Sequence, residues 1–101
     1  MVYETHNWVV VKVDCEGDNF YKLVASVGWG LNDWRINSGI TEVVDKGEYY
    51  EVFGCTGSSY ICEKGSERVD RTMEMVLDKL AEHSTIISID SLEDKYLLDP
   101  N

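Results

Sequence analysis

Residues 66–83 read Ser66-Glu67-Arg68-Val69-Asp70-Arg71-Thr72-Met73-Glu74-Met75-Val76-Leu77-Asp78-Lys79-Leu80-Ala81-Glu82-His83, and the spacing of their apolar members decides the fold class. Val69, Met73, Val76, Leu77 and Leu80 fall at i, i+4, i+7, i+8 and i+11, which is one face of an α-helix. Ser66 stands where an N-cap hydroxyl would accept an orphan amide of the first turn. The pattern predicts one long helix over about residues 66–83, with an apolar face that a sheet must cover.

Upstream of that helix the chain reads as strands. Asn7 to Asp14 is a β-branched run interrupted by Lys12; Cys15 to Asn19 are turn formers; Phe20 to Val27 resumes apolar character. The two runs predict a hairpin. Gly28-Trp29-Gly30-Leu31-Asn32-Asp33 breaks the pattern as a bend or bulge. From Trp34 to Asp45 the chain is extended with a kink at Asn37-Ser38-Gly39, and Asp45-Lys46-Gly47 is a turn. Glu48 to Phe53 and Tyr60 to Cys62 predict a further hairpin with a Gly/Ser-rich tip. After the helix, Thr85 to Ile89 has the composition of a short late strand, and the tail from Ser91 to Asn101 is a helical turn or an extended arm. The expectation is an α+β fold, an antiparallel meander of about five strands packed on the one long helix, as a single domain spanning residues 1–101.

Nineteen acidic against nine basic residues give a formal charge of −10, which repels nucleic acid and anionic membranes. Direct nucleic-acid binding and membrane association are therefore not expected. The amino terminus has neither a basic nor an apolar leader segment, and Cys15, Cys55 and Cys62 make an odd thiol count, so reduced cysteines in a cytosol are expected.

The chemistry-bearing residues form no catalytic pattern. Cys55 and Cys62 lie seven apart with no second close pair, so no metal site and no cofactor are predicted. His6 and His83 sit in no nucleophile motif, and Gly57-Ser58-Ser59 does not match Gly-x-Ser-x-Gly. A non-enzymatic role is the expectation. Trp29, Trp34, Arg35 and Asn37 are the densest cluster of recognition-type side chains. The tip Gly57-Ser58-Ser59 offers backbone amides to an anion, with Arg35 and Lys64 as cationic companions. Glu67, Asp70, Glu74, Asp78 and Glu82 place like charges at i, i+4 along the helix, an acidic ridge fitted to a basic partner.

Trp34-Arg35-Ile36-Asn37-Ser38-Gly39-Ile40, then Tyr49-Tyr50-Glu51-Val52-Phe53-Gly54, then Thr56-Gly57-Ser58-Ser59-Tyr60-Ile61-Cys62-Glu63-Lys64 resembles small uncharacterised accessory proteins of tailed phages, particularly those of marine cyanobacteria. The similar proteins often carry His where Glu63 stands. The resemblance implies a viral protein in the cytoplasm of a host cell and brings no activity with it. Two mechanisms suit that context, the first of them the main expectation and the second its alternative. One is an acidic inhibitor that binds a host protein, a defence or nucleic-acid-acting enzyme, through the acidic ridge or the Trp34-Arg35 surface. The other is a homo-oligomeric module that sequesters a small anionic ligand such as a nucleotide signal, through Arg35, Asn37 and the Gly57-Ser58-Ser59 amides. A minor structural or assembly protein of the particle is the third expectation.

Overall fold

A computed structural model describes residues 1–15 and 17–98. The strands are β1 (Val2–Glu4), β2 (Asn7–Cys15), β3 (Asp18–Ser26), β4 (Trp34–Ile36), β5 (Ile40–Asp45), β6 (Tyr49–Gly54), β7 (Ser59–Glu63), β8 (Ser84–Ile87) and β9 (Leu97–Leu98), with one α-helix, α1 (Arg71–Leu80), between β7 and β8. They form a five-stranded sheet of order β1-β7-β6-β5-β9 and a four-stranded sheet of order β4-β3-β2-β8.

The expected meander on one long helix is thereby overturned: the protein is mostly β, built as two sheets with a single short helix. The chain changes sheet twice before the helix. Thr5 and His6 carry it from β1 to β2, and Asn37 to Gly39 carry it from β4 to β5. At the second crossing Gly39 adopts φ 134°, a conformation that side-chain-bearing residues avoid. The kink legible at Asn37-Ser38-Gly39 is a corner between sheets.

The hydrophobic core explains why two sheets form. Trp8, Val10, Tyr21, Leu23 and Ala25 from β2 and β3 pack against Ile40, Val43, Val52, Tyr60 and Cys62 from β5, β6 and β7. Side chains alternate along a strand, so the odd-numbered residues of β2 face the other way. There Val9, Val11 and Val24 meet Met73 and Val76 of the helix. The molecule thus has three layers: sheet, sheet, helix. Trp8-Val9-Val10-Val11 is apolar without interruption because β2 is buried on both faces, and all four residues are buried.

The helix is shorter than its periodicity predicts. It is capped by Asp70, whose carboxylate accepts the Met73 N–H at 3.2 Å. The same carboxylate accepts from Asn7 Nδ2 at 2.7 Å and from the Ser26 hydroxyl, which fixes the helix start to strands β2 and β3. Ser66, the expected cap, lies instead in a 3-10 turn at Lys64–Ser66. Val69 shares the helical spacing by coincidence and is exposed, because residues 67–70 are not helical. The late strand lies at the edge of the second sheet, with β8 antiparallel to β2. The tail returns as β9, parallel to β5; the tail residues 99–101, like Glu16 of the first turn, lie outside the described residues. Among the described residues no helix is long and apolar enough to cross a membrane.

Candidate functional site

The first sheet carries β1 at one edge and the second carries β4 at one edge, and a cation–aromatic contact bridges the two. The Arg35 guanidinium on β4 lies 4.0 Å from the centroid of Tyr3 on β1. On its own sheet the Tyr3 ring stacks on Tyr60, its parallel partner on β7, with centroids 5.0 Å apart and planes 24° apart. The Tyr3 ring is thus in contact with both a cation and a second ring. Stacking of this kind orients a guanidinium while leaving its N–H edge free for a planar anion.

Beside this stack a cleft of about 400 Å³ is lined by Tyr3, Lys22, Arg35, Ile36, Asn37, Ser38, Gly54, Thr56, Ser58 and Tyr60. Its walls are the sheet-crossing corner 37–39 and the β6–β7 tip. The corner and the tip are joined: Thr56 N–H donates to Ser38 Oγ at 3.2 Å, and Cys55 N–H donates to the Gly39 carbonyl at 3.2 Å. Gly54 permits the approach, since a Cβ there would stand 3.0 Å from Ser38 Oγ and 3.5 Å from Asn37 Nδ2. Eight of the ten lining residues come from segments 34–40, 49–54 and 56–64, which converge here.

Asn37 is the buried polar group of this cleft, 3% exposed. Its Oδ1 accepts the Leu23 N–H at 2.8 Å and its own N–H donates to the Leu23 carbonyl at 3.0 Å, extending the β3–β4 pairing by one residue. Its Nδ2 has no hydrogen-bond partner among the described residues. An unpaired buried donor costs about 1–3 kcal/mol, so a group that accepts from it is favoured.

The charge pattern of the cleft is opposite to that of the molecule. The chain is −10, yet the lining holds two cations and no carboxylate. Arg35 and Lys22 make no ion pair among the described residues. Three further cavities each include an acid: Asp45 and Asp90 in one, Asp14 and Glu82 beside Lys12 and His83 in another, Asp78 in a third. No protein-family model matches the chain. No curated protein and no solved structure matches it either.

The residues expected to bind are divided by the fold. Arg35, Asn37 and Ser58 meet in the cleft. Gly57 and Ser59 flank it with their amides already used: Gly57 N–H donates to the Gly54 carbonyl at 3.1 Å, and Ser59 N–H donates to the Met1 carbonyl at 3.0 Å. Ser59 Oγ donates to Glu51 Oε2 at 2.9 Å. Two of the three expected amides are therefore already committed within the fold. Lys64 is elsewhere, 2.7 Å from Asp45 and 4.8 Å from the Tyr50 ring centroid. Its hydrogen bond to Asp45 holds the Asp45 carboxyl below its ordinary value and raises the Lys64 ammonium. Trp34 stands on β4 outside the cleft lining, and Trp29 stands on the turn between β3 and β4.

The acidic ridge is broken up. Of its five members only Glu74 and Asp78 lie in α1. Glu67 accepts the Ile89 N–H at 2.7 Å, and Asp70 is the cap tied to Asn7 and Ser26; both serve the fold. Glu82 is exposed beyond the helix. Tyr3, Lys22, Ile36, Ser38, Gly54, Thr56 and Tyr60 complete the cleft without having been singled out from sequence as binders. Tyr3 had no signal at all, since a three-residue parallel edge strand has no periodicity to read.

The thiols and imidazoles are dispersed. Cys62 is fully buried, and burial pushes its thiol up to about 12, which makes it unreactive as a nucleophile. Cys55 is exposed at the β6–β7 tip, and the Cys15 side chain lies outside the described ones. His6 packs against Trp29 at 4.2 Å between ring centroids, and His83 is exposed. Among the described residues no three His, Cys, Asp or Glu side chains converge as a metal-binding group.

Proposed function

We propose that this protein is a binding module for a small anionic ligand, held in the cleft between β4 and the β6–β7 tip. The observation that carries this reading is Arg35, stacked on Tyr3 and without an ion pair among the described residues, in a carboxylate-free cleft on a molecule of charge −10. No acid lines the cleft beside the guanidinium, so its N–H edge is open to an external anion, which a bidentate Arg–carboxylate pair would hold. Asn37 Nδ2 supplies a second donor without a partner. The volume falls in the lower part of the range of small-molecule sites, about 300–1,000 Å³. Nothing in this arrangement activates a nucleophile or a water, so binding without turnover is the reading. Sequestration of a host metabolite or signal by a phage accessory protein is a role in which such a module would serve.

The test is a titration of the ¹⁵N-labelled protein with sodium acetate at low ionic strength, followed by NMR. The Arg35 Nε–H and Asn37 side-chain amide signals are expected to move together and to saturate, and Arg35→Ala is expected to abolish the movement at Asn37. Shifts spread over the surface lysines, with Arg35 silent, would sink the reading.

A second reading, an inhibitor docking on a host protein, is favoured by one observation. Trp29 and Leu31 are 82% and 53% exposed on a turn that is held firmly. Gly30 N–H donates to Asp33 Oδ2 at 2.9 Å, and Val27 N–H donates to the Asp33 carbonyl at 2.8 Å. A Cβ at Gly28 would stand 2.5 Å from the same Oδ2, so the turn depends on glycine there. A rigid exposed Trp is a typical interface anchor. In this reading Trp29→Ala abolishes co-purification of a host protein that Arg35→Ala retains, and co-purification unaffected by Trp29→Ala excludes this turn.

A further inference from the structure

The cleft constrains the class of anion as well as its sign. We infer that the ligand is a compact, non-aromatic monoanion bearing hydroxyl groups, of the type of a sugar acid, bound with its carboxylate on Arg35 and its hydroxyls toward Ser38, Thr56 and Ser58. This class rests on the anion-binding reading of the same cleft.

Three observations lead to that class. The first is the number of charges. Arg35 is the cation whose guanidinium is fixed at the cleft, over Tyr3, whereas the Lys22 ammonium lies 6.0 Å from the Phe20 ring centroid. One guanidinium matches one carboxylate in two parallel N–H···O bonds. A second negative charge on the ligand finds no fixed partner and meets the field of a chain of charge −10.

The second is the state of the aromatic rings. A nucleobase or other flat ligand is recognised by stacking on an open ring face. The Tyr3 ring is already in contact with both the Arg35 guanidinium and the Tyr60 ring, and Tyr60 itself is 3% exposed. Both rings are thus already engaged within the fold. Trp29 and Trp34, which are exposed, do not line the cleft.

The third is the chemistry of the remaining wall. Ser38 Oγ accepts from Thr56 N–H and lies 3.4 Å from Thr56 Oγ1, and Ser58 completes the same wall. Hydroxyls that both donate and accept suit a partner that does the same, which is a polyol. With Asn37 Nδ2 without an acceptor among the described residues, the cleft brings donors for a carboxylate together with adaptable hydroxyls.

Isothermal titration calorimetry at low ionic strength with glucuronate, glucose, glucose 6-phosphate and AMP tests the class. Glucuronate is expected to bind at least tenfold more tightly than each of the other three. Arg35→Ala is expected to weaken glucuronate at least tenfold, and Ser58→Ala to weaken glucuronate while leaving the acetate-induced shift at Arg35 unchanged. The wild-type circular dichroism spectrum in both variants separates lost contacts from lost folding. Glucose 6-phosphate or AMP binding as tightly as glucuronate through Arg35 overturns the monoanionic polyol class and leaves an anion site in place. Saturating acetate shifts at Arg35 without measurable glucuronate binding overturn the class in the same way. If no probe, acetate included, perturbs Arg35, the anion-binding reading itself fails.

Discussion

Trp8→Ala is expected to destabilise the fold by about 3–5 kcal/mol, the range for truncating a large buried aromatic. That is a large part of the roughly 5–15 kcal/mol that holds a small domain together. Trp8 is fully buried and belongs to β2, yet its indole N–H donates to the Glu63 carbonyl at the end of β7, 2.8 Å away on the other sheet. Its ring meets Tyr50 of β6 edge to face, with centroids 6.1 Å apart. Its backbone forms a parallel bridge to Glu67 in the segment leading to the helix. Removing the side chain leaves a cavity between the sheets and an unpaired carbonyl at Glu63, so the transfer and hydrogen-bond losses fall together. The midpoint of urea unfolding followed by circular dichroism measures it, with Trp29→Ala as the control. The same substitution at the exposed Trp29 should change stability by no more than about 0.5 kcal/mol. A Trp8→Ala loss as small as the control would show that the inter-sheet core does not depend on this residue.

Asp70→Ala is expected to be the second most damaging single change, because one carboxylate performs two tasks. As the N-cap of α1 it is worth about 1 kcal/mol. As acceptor for Asn7 Nδ2 and the Ser26 hydroxyl it holds the helix on the second sheet, and stranding those donors adds about 1–3 kcal/mol. Met73 and Val76 then lose part of their cover over Val9, Val11 and Val24. The pH dependence carries a definite sign. Partial burial raises the Asp70 carboxyl, but the hydrogen bonds from Ser26, Asn7 and the Met73 and Thr72 amides outweigh it, so its pKa lies below the ordinary 3.8. A carboxyl depressed in the folded state stabilises the fold above its unfolded pKa, and that stability is lost as pH falls through the lower folded value. Wild type should therefore lose thermal stability progressively below about pH 4. Asp70→Ala should start lower and show a shallower decline over the same range. Equal slopes in the two melting-temperature profiles would remove Asp70 from the acid response.

How much of the fold and the cleft was legible in the sequence differs from element to element. The hairpins β2–β3 and β6–β7 could be read because turn formers interrupt two apolar runs, at Cys15 to Asn19 and at Gly54 to Ser58, although the first pair of strands runs on through Cys15 and resumes at Asp18. The helix was legible in its interior, where Met73, Val76, Leu77 and Leu80 face the sheet. Its start was not, because Asp70 became the cap through Asn7 and Ser26, which are distant in sequence. Arg35, Asn37 and Ser58 could be chosen as recognition-type residues by side-chain chemistry alone, and they do meet in one cleft. Lys64 had the same chemistry and was claimed by Asp45.

The sequence by itself determined the quantities that depend on residue type and near neighbours: the charge of −10, the turn positions, the apolar run of β2 and the helical face from Met73 to Leu80. Tertiary structure alone decided that there are two sheets, because Thr5-His6 and Asn37-Ser38-Gly39 have the same composition whether a chain turns within a sheet or crosses to another. It also decided which cations are paired, Lys64 with Asp45 among them, and which cation stands in a cleft without a carboxylate, as Arg35 does. Pairing depends on distances between residues far apart in the chain, and Coulomb and hydrogen-bond energies are fixed by those distances and not by sequence separation.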